Sequence, residues 1–437
     1  MTEINLQANE QTWNVTTICP MDIKFGFPLG STQDNTDSIS TLIKMSQLDS
    51  AIRYDINESV SASDVFKGSE YVSIADDVST LRLFSWHAKI ANKNEKLVDV
   101  VFHVFPNHIA VAEIKLTNIA ANSAKQLDRA ALMETEFLLN KAQLVFNQVL
   151  DNLEEKLADT NAIFEAKEST GKVYWPSRAI QLSNEQLSQN ESKAIVAEWL
   201  KDTHRPEDAE LIFSGQKNES ITWLKYVILE CSDSNENNTE KDDYRLETLI
   251  LAQYCYSAQE KCNRKVRQAI EQAFEGESKK LESEIQRAKR ALERSRVLLK
   301  LHQVSVNECL RHLTRRKSWL IKDIFACWEY ERLVDNGNAM LDLCADKIND
   351  SDSRQAKISA SKTEYILIGI SLFTVLDFFF FITQFSREAM ANPTLDHNDG
   401  GPSEFLTMIA DIPADTMFFV AVVIAGLIFV TYKKVKG

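Results

Sequence analysis

The sequence predicts an α+β cytoplasmic domain, then long α-helices that form a coiled-coil-like stalk, then a C-terminal two-helix transmembrane hairpin. Three observations predict it. Much of the first 120 residues alternates with period two and is rich in β-branched and aromatic side chains. No proline occurs between Pro206 and Pro393, as long uninterrupted helices require. Two apolar runs near the C-terminus, about 365–385 and 416–432, are long enough to cross a bilayer. The expected divisions are 1–243 for the α/β domain, 244–360 for the helical region and 361–437 for the transmembrane domain.

Taken in order, "YVSIADDVSTLRLFSWHAKI" and "LVDVVFHVFPNHIAVAEIKL" read as strands, with a hairpin turn at Pro106-Asn107. The polar region from Thr32 to Ser69 reads as loop. At Asn122-Ser123 the period changes, and Leu138, Ala142, Val145, Val149 and Leu153 predict an amphipathic helix over 124–158. A mixed segment follows over 160–231. In it "SNEQLSQNESKAIVAEWLK" reads as helix, opened by a capping box of Ser183 and Gln186. "AELIFSG" and "SITWLKYVILEC" read as two more strands. The stretch 232–243 has no apolar residue and reads as a linker. Beyond it Leu281, Ile285, Ala288, Leu292, Ser295 and Leu299 form a heptad seam. A second helical stretch covers 306–334, with interruptions expected at "DNGN" (335–338) and "NDSDS" (349–353). The latter is a candidate hinge or helix start ahead of the membrane.

The flanks of the two apolar runs set an orientation. Lys357 and Lys362 precede the first, and Lys433, Lys434 and Lys436 follow the second. The segment between them carries one arginine against six acids: Glu388, Asp396, Asp399, Glu404, Asp411 and Asp415. Lysines held inside and acids outside predict a two-span membrane hairpin with both termini in the cytoplasm. A hydrophobic fraction of 44% and a charged fraction of 26% suit a folded cytoplasmic body. The polar, acidic start gives no signal-peptide pattern. A net charge of −14 argues against a general nucleic-acid binder. Seven scattered cysteines without CxxC read as reduced, packed thiols.

A mixed α/β domain, long helices, two C-terminal spans and a short lysine-rich tail together resemble the CorA superfamily of metal-ion transporters. The resemblance implies a pentamer in which the first span of each subunit lines a cation pore. The Gly-Met-Asn signature at the outer end of that span is absent, and the corresponding stretch reads "QFSREAMAN". Divergent relatives without the tripeptide include effectors of antiviral CRISPR systems, and that resemblance implies opening by a nucleotide messenger.

Asp377 is the principal candidate residue, a carboxylate in the middle of a spanning run. An ionised group there costs about 2.5–3.5 kcal/mol on insertion scales, tolerable facing water or partner helices. On a helix Ile370, Asp377 and Gln384 share a face, flanked by Thr374 and Phe381; these five are the candidate pore lining. The alternative is a membrane-tethered coiled-coil scaffold without a pore, in which Asp377 is an assembly contact. Arginines 287, 290, 294, 311, 315 and 316 are candidates for binding an anionic ligand, against the plainer reading of a solvated helix face. His302, Cys309 and His312 lie on one predicted helix and read as core packing. Asp396, His397 and Asp399 read as a turn. Neither set is taken as a metal site, and no cofactor is expected. No GxSxG, HExxH or P-loop occurs, so an enzyme is not expected.

Overall fold

The computed structural model describes residues 11–24, 71–73, 81–158, 171–230, 244–278, 282–391 and 404–436. The predicted loop at 32–69 and linker at 232–243 lie outside them. The chain divides into two compact units, Met1–Asp346 and Lys347–Gly437.

The first unit is built on one eight-stranded sheet. Its strands are β1 (Thr12–Asp22), β2 (Tyr71–Ser73), β3 (Phe84–Ala91), β4 (Leu97–Phe105), β5 (Ile109–Ala120), β6 (Ser177–Leu182), β7 (Glu219–Ile221) and β8 (Lys225–Leu229). They lie in the order β2-β3-β4-β5-β1-β6-β8-β7, antiparallel throughout except where β6 pairs with β8. The hairpin expected at Pro106-Asn107 is present, with Phe105 opposite Ile109. Asn107 and His108 make the reversal at φ 69° and 59°, the left-handed region that asparagine tolerates.

Period-two alternation sends side chains to two separate cores. On one face Val98, Val100, Phe102 and Val104 of β4 and Ala110, Ala112 and Ile114 of β5 pack under α1 (Ala124–Ala158) and α3 (Asn190–Leu200). Phe102 stacks on Phe146 at 4.3 Å. On the other face Ile18, Phe105, Ile109, Val111 and Tyr226 meet α5 (Tyr244–Ser278), α6 (Glu282–His312) and α7 (Arg315–Cys327). The sheet is thus a middle layer with helices on both sides. The helices after residue 243, up to the start of α8 (Tyr330–Ala391), share a core with the sheet.

Several local expectations are met. Helix α1 spans the predicted 124–158. Ser183 caps α2 (Asn184–Leu187) with the predicted box, its Oγ accepting from the Gln186 N–H while the Gln186 side chain accepts from the Ser183 N–H. Leu292 and Leu299 of the heptad seam are fully buried on α6.

Others are corrected. "AELIF" is not a strand but lies within α4 (Asp208–Phe213). Ala209 and Ile212 are buried three residues apart, and Gly215 at φ 73° lets the chain turn out of the helix. "SITWLKYVILEC" is not one strand but the β7–β8 hairpin, closed by Thr222 bonding to the Lys225 carbonyl. Strand β6 was not expected. The helix breaks also move: they fall at 313–314 and 328–329, while "DNGN" and "NDSDS" continue within α8. Gly337 survives mid-helix because a Cβ there would sit 2.6 Å from the Asn263 Oδ1 of α5. Asp350 and Arg354 pair across one helical turn at 3.1 Å, which supports helix where a hinge was expected.

The second unit contains the rest of α8, α9 (Glu404–Ala410) and α10 (Ala414–Lys436). Two helices, Tyr330–Ala391 and Ala414–Tyr432, contain stretches of mean hydropathy 2.3 and 2.2 and are long and apolar enough to cross a membrane.

Candidate membrane helix and candidate ligand cleft

Within the second unit one side of α8 is covered. Thr383, Ser386 and Ala389 are buried, and Leu372, Val375, Leu376, Phe379 and Ile382 are half-buried, at three- and four-residue steps. On α10 Met417, Ala421 and Ala425 are buried four residues apart. Small side chains on such stripes let backbones approach where no hydrophobic effect drives association. Phe380 meets Phe418 at 6.2 Å, and Arg387 donates to the Ile412 carbonyl at 3.1 Å.

All five predicted pore-lining residues, Ile370, Thr374, Asp377, Phe381 and Gln384, are on the exposed side. At 3.6 residues per turn, roughly 100° each, the covered stripe is centred about 190° around α8 from Asp377. Asp377 therefore points away from its own chain's second apolar helix. It has no hydrogen bond or ion pair among the described residues. Thr374 instead bonds back to the Ile370 carbonyl at 2.9 Å, and Gln384 donates to Glu388 at 3.1 Å. Glu388 lies 11 residues beyond Asp377, within roughly 20° of the same line and roughly 16 Å along the axis. The sequence placed it only among the six acids of the connecting segment.

The six arginines do not form one site. Arg287, Arg290 and Arg294 are exposed on the first half of α6, and Arg311 is exposed at its end. At 1.5 Å per residue, Arg290 and Arg311 are about 31 Å apart. Arg315 and Arg316, on the first turn of α7, line a cleft of about 720 Å³ together with Arg205, Lys217, Tyr244 and Trp319. Arg205 is occupied by a bidentate pair with Asp323, both contacts 2.9 Å, and Lys217 by Asp208 at 2.6 Å. The hydrogen bond from Arg205 holds the Asp323 carboxyl below its usual range. Arg315 and Arg316 have no ion pair among the described residues, so they are the cleft's available cations. Trp319 is 71% exposed, the most exposed tryptophan in the unit. The sequence signal that finds it is an aromatic inside "RRKSWL", four residues after Arg315 and so on the same helix face.

His302 and Cys309 are buried in the core while His312 is exposed, so those three side chains do not converge. A different polar group is buried on the sheet. Ser85 Oγ lies 2.8 Å from His103 Nδ1, and His103 Nε2 lies 3.1 Å from Glu113. Burial alone would raise the Glu113 pKa, but its bonds to His103 and Lys115 overcome this and take it down to about 2. Burial lowers the His103 pKa. A neutral imidazole with its proton on Nε2 satisfies both contacts. With Ser85 only 1% exposed, the group ties β3, β4 and β5 together and offers a substrate no access.

Compared with protein families, curated proteins and solved structures, the chain gave no match.

Proposed function

We propose that the chain assembles into a homo-oligomeric, CorA-like cation channel of the inner membrane, with both termini in the cytoplasm and α8 lining the pore. The observation that carries this is the position of Asp377: without a partner among the described residues, exposed, and opposite the stripe that α8 buries. Alone in lipid, that carboxylate would cost about 2.5–3.5 kcal/mol per chain. Other copies of the chain, enclosing water, remove the cost by turning the Asp377 faces inward. A ring of carboxylates with Thr374 and Gln384 as neutral neighbours favours cations. The unit that holds the sheet acts as the gate's sensor. An anion held by Arg315 and Arg316 beside Trp319 is the proposed opener, and the family resemblance extends this to a nucleotide messenger in antiviral defence.

The test is cation flux into liposomes carrying the purified full-length protein, paired with its mass in detergent. Flux from a closed ring of four or more copies is the expected result. A dimer that passes no ions with any nucleotide or inorganic anion supplied contradicts the channel and leaves the scaffold.

A further inference from the structure

A second cleft of about 810 Å³ opens where α7 gives way to α8, and Arg205 lines both it and the basic one. Its volume is within the roughly 300–1,000 Å³ usual for small-ligand sites. Three rings form its wall. Trp223 meets Tyr256 at 4.8 Å and 63°, and Trp328 at 5.7 Å and 88°; Tyr256 meets Trp328 at 6.1 Å and 86°. Trp328 is fixed by its indole N–H, which donates to the Thr222 carbonyl at 2.9 Å. Trp223 keeps 37% of its surface open.

The geometry and the charges narrow the ligand. An aromatic cage for an ammonium ion needs ring faces standing apart around the cation. These rings touch edge to face and leave no such gap. What remains is the open part of Trp223, which Trp175 also contacts at 5.7 Å and 39°. The cations at the rim are already matched: Arg332 pairs with Glu329 at 3.1 Å, and Arg205 with Asp323. His204 lies 3.1 Å from the Cys327 sulfur. Asn336, with no partner among the described residues, supplies an amide at the edge.

We propose that this cleft binds a small, uncharged, flat heteroaromatic molecule stacked on Trp223, and that its occupancy sets the conformation of the α7–α8 junction. The second half follows from what else lines the cleft. Glu329 sits at φ 52°, a left-handed conformation costly for a residue with a side chain. It is flanked by Trp328 and followed by Arg332 and Asn336 on the first turns of α8, the helix that carries Asp377. A ligand against these side chains biases whether residue 329 keeps that conformation. The bearing on a gate rests on the channel reading; binding and the response of residue 329 do not.

The experiment uses the full-length protein in detergent labelled with 5-fluorotryptophan, with indole and caffeine as flat probes and tetramethylammonium as the cationic control. The Trp223 fluorine signal, assigned by its loss in Trp223→Phe, is expected to shift saturably with a flat probe and not with tetramethylammonium. Asn336→Ala should weaken that binding several-fold. Glu329→Gly, which removes the left-handed penalty, should change probe affinity more than threefold, while Glu329→Ala, which removes only the carboxylate, should not. A Trp223 signal that ignores both flat probes, or follows tetramethylammonium equally, overturns the site. Equal affinities in the Gly and Ala variants overturn the junction's part in it. All these readouts are of binding, so an absence of ion flux would count against the channel alone.

Discussion

His302 reaches from α6 toward the β4–β5 turn, where its Nδ1 lies 3.5 Å from the Asn107 amide and its ring stands edge-on to Tyr254. Complete burial takes its pKa down to about 4, against an opposing backbone hydrogen bond at Cys255. The fold therefore holds it neutral, while the unfolded chain accepts a proton near pH 6.5. Its contribution is intact above pH 6.5 and is lost as pH falls toward 4, by about 3 kcal/mol in all. The expected outcome is that thermal unfolding of His302→Gln, followed from pH 7 to 4, falls less steeply than that of the wild type. Equal slopes would remove His302 as a source of acid lability. Sequence spacing read His302, Cys309 and His312 alike as core packing; the first two are buried, and His312, at the end of α6, is exposed. The division of the arginines was not legible, since exposure looks the same for all six until the cleft brings two of them beside Arg205 and Trp319. In binding assays with inorganic pyrophosphate, Arg315→Ala with Arg316→Ala is expected to cost tenfold or more. Arg287→Ala with Arg290→Ala should cost nothing.

At the scale of elements, the first turns of α8 are locked to the hairpin of α5 and α6. Asn263 donates to the Leu333 carbonyl at 2.9 Å and accepts from Gln259 at 3.0 Å, and Gln303 donates to Asn338 at 3.2 Å. Gly337 sits against the first pair, with a Cβ position 2.8 Å from Gln259 Nε2. Alanine there would recover about 1 kcal/mol of helix propensity while displacing those amides. A larger side chain has no such balance. Gly337→Leu is expected to lower stability by about 2 kcal/mol, read as a lower denaturation midpoint. An unchanged midpoint would mean that α8 does not depend on this close approach. The sequence reads "DNGN" as a break because Gly, Asn and Asp all favour turns; tertiary contact with α5 overrides that preference. The same override makes α4 from "AELIF", whose apolar run is too short for its period to decide between helix and strand. Asp208 there is buried and accepts from Lys217 and Ser220, contacts separated from it by nine and twelve residues.

At the scale of the molecule, strand content, the two apolar helices and the dominance of helix after residue 243 were legible, because composition and period carry them. The layered packing was not. That Phe105 and Ile109 lie under α5 while Phe102 lies under α1 depends on register and on which helix covers which face. Asp377 belongs to both levels: its place in an apolar run is visible in the sequence, and its direction relative to the covered stripe only in the fold. The most direct measurement is the reversal potential of the full-length protein in a planar bilayer under a tenfold KCl gradient, for wild type and Asp377→Asn. A wild-type potential near the potassium limit of about 59 mV, moved toward zero in the variant, is the predicted result. The absence of current, or a reversal potential that the substitution leaves unchanged, would contradict the assignment of Asp377 to the wall of a cation pore.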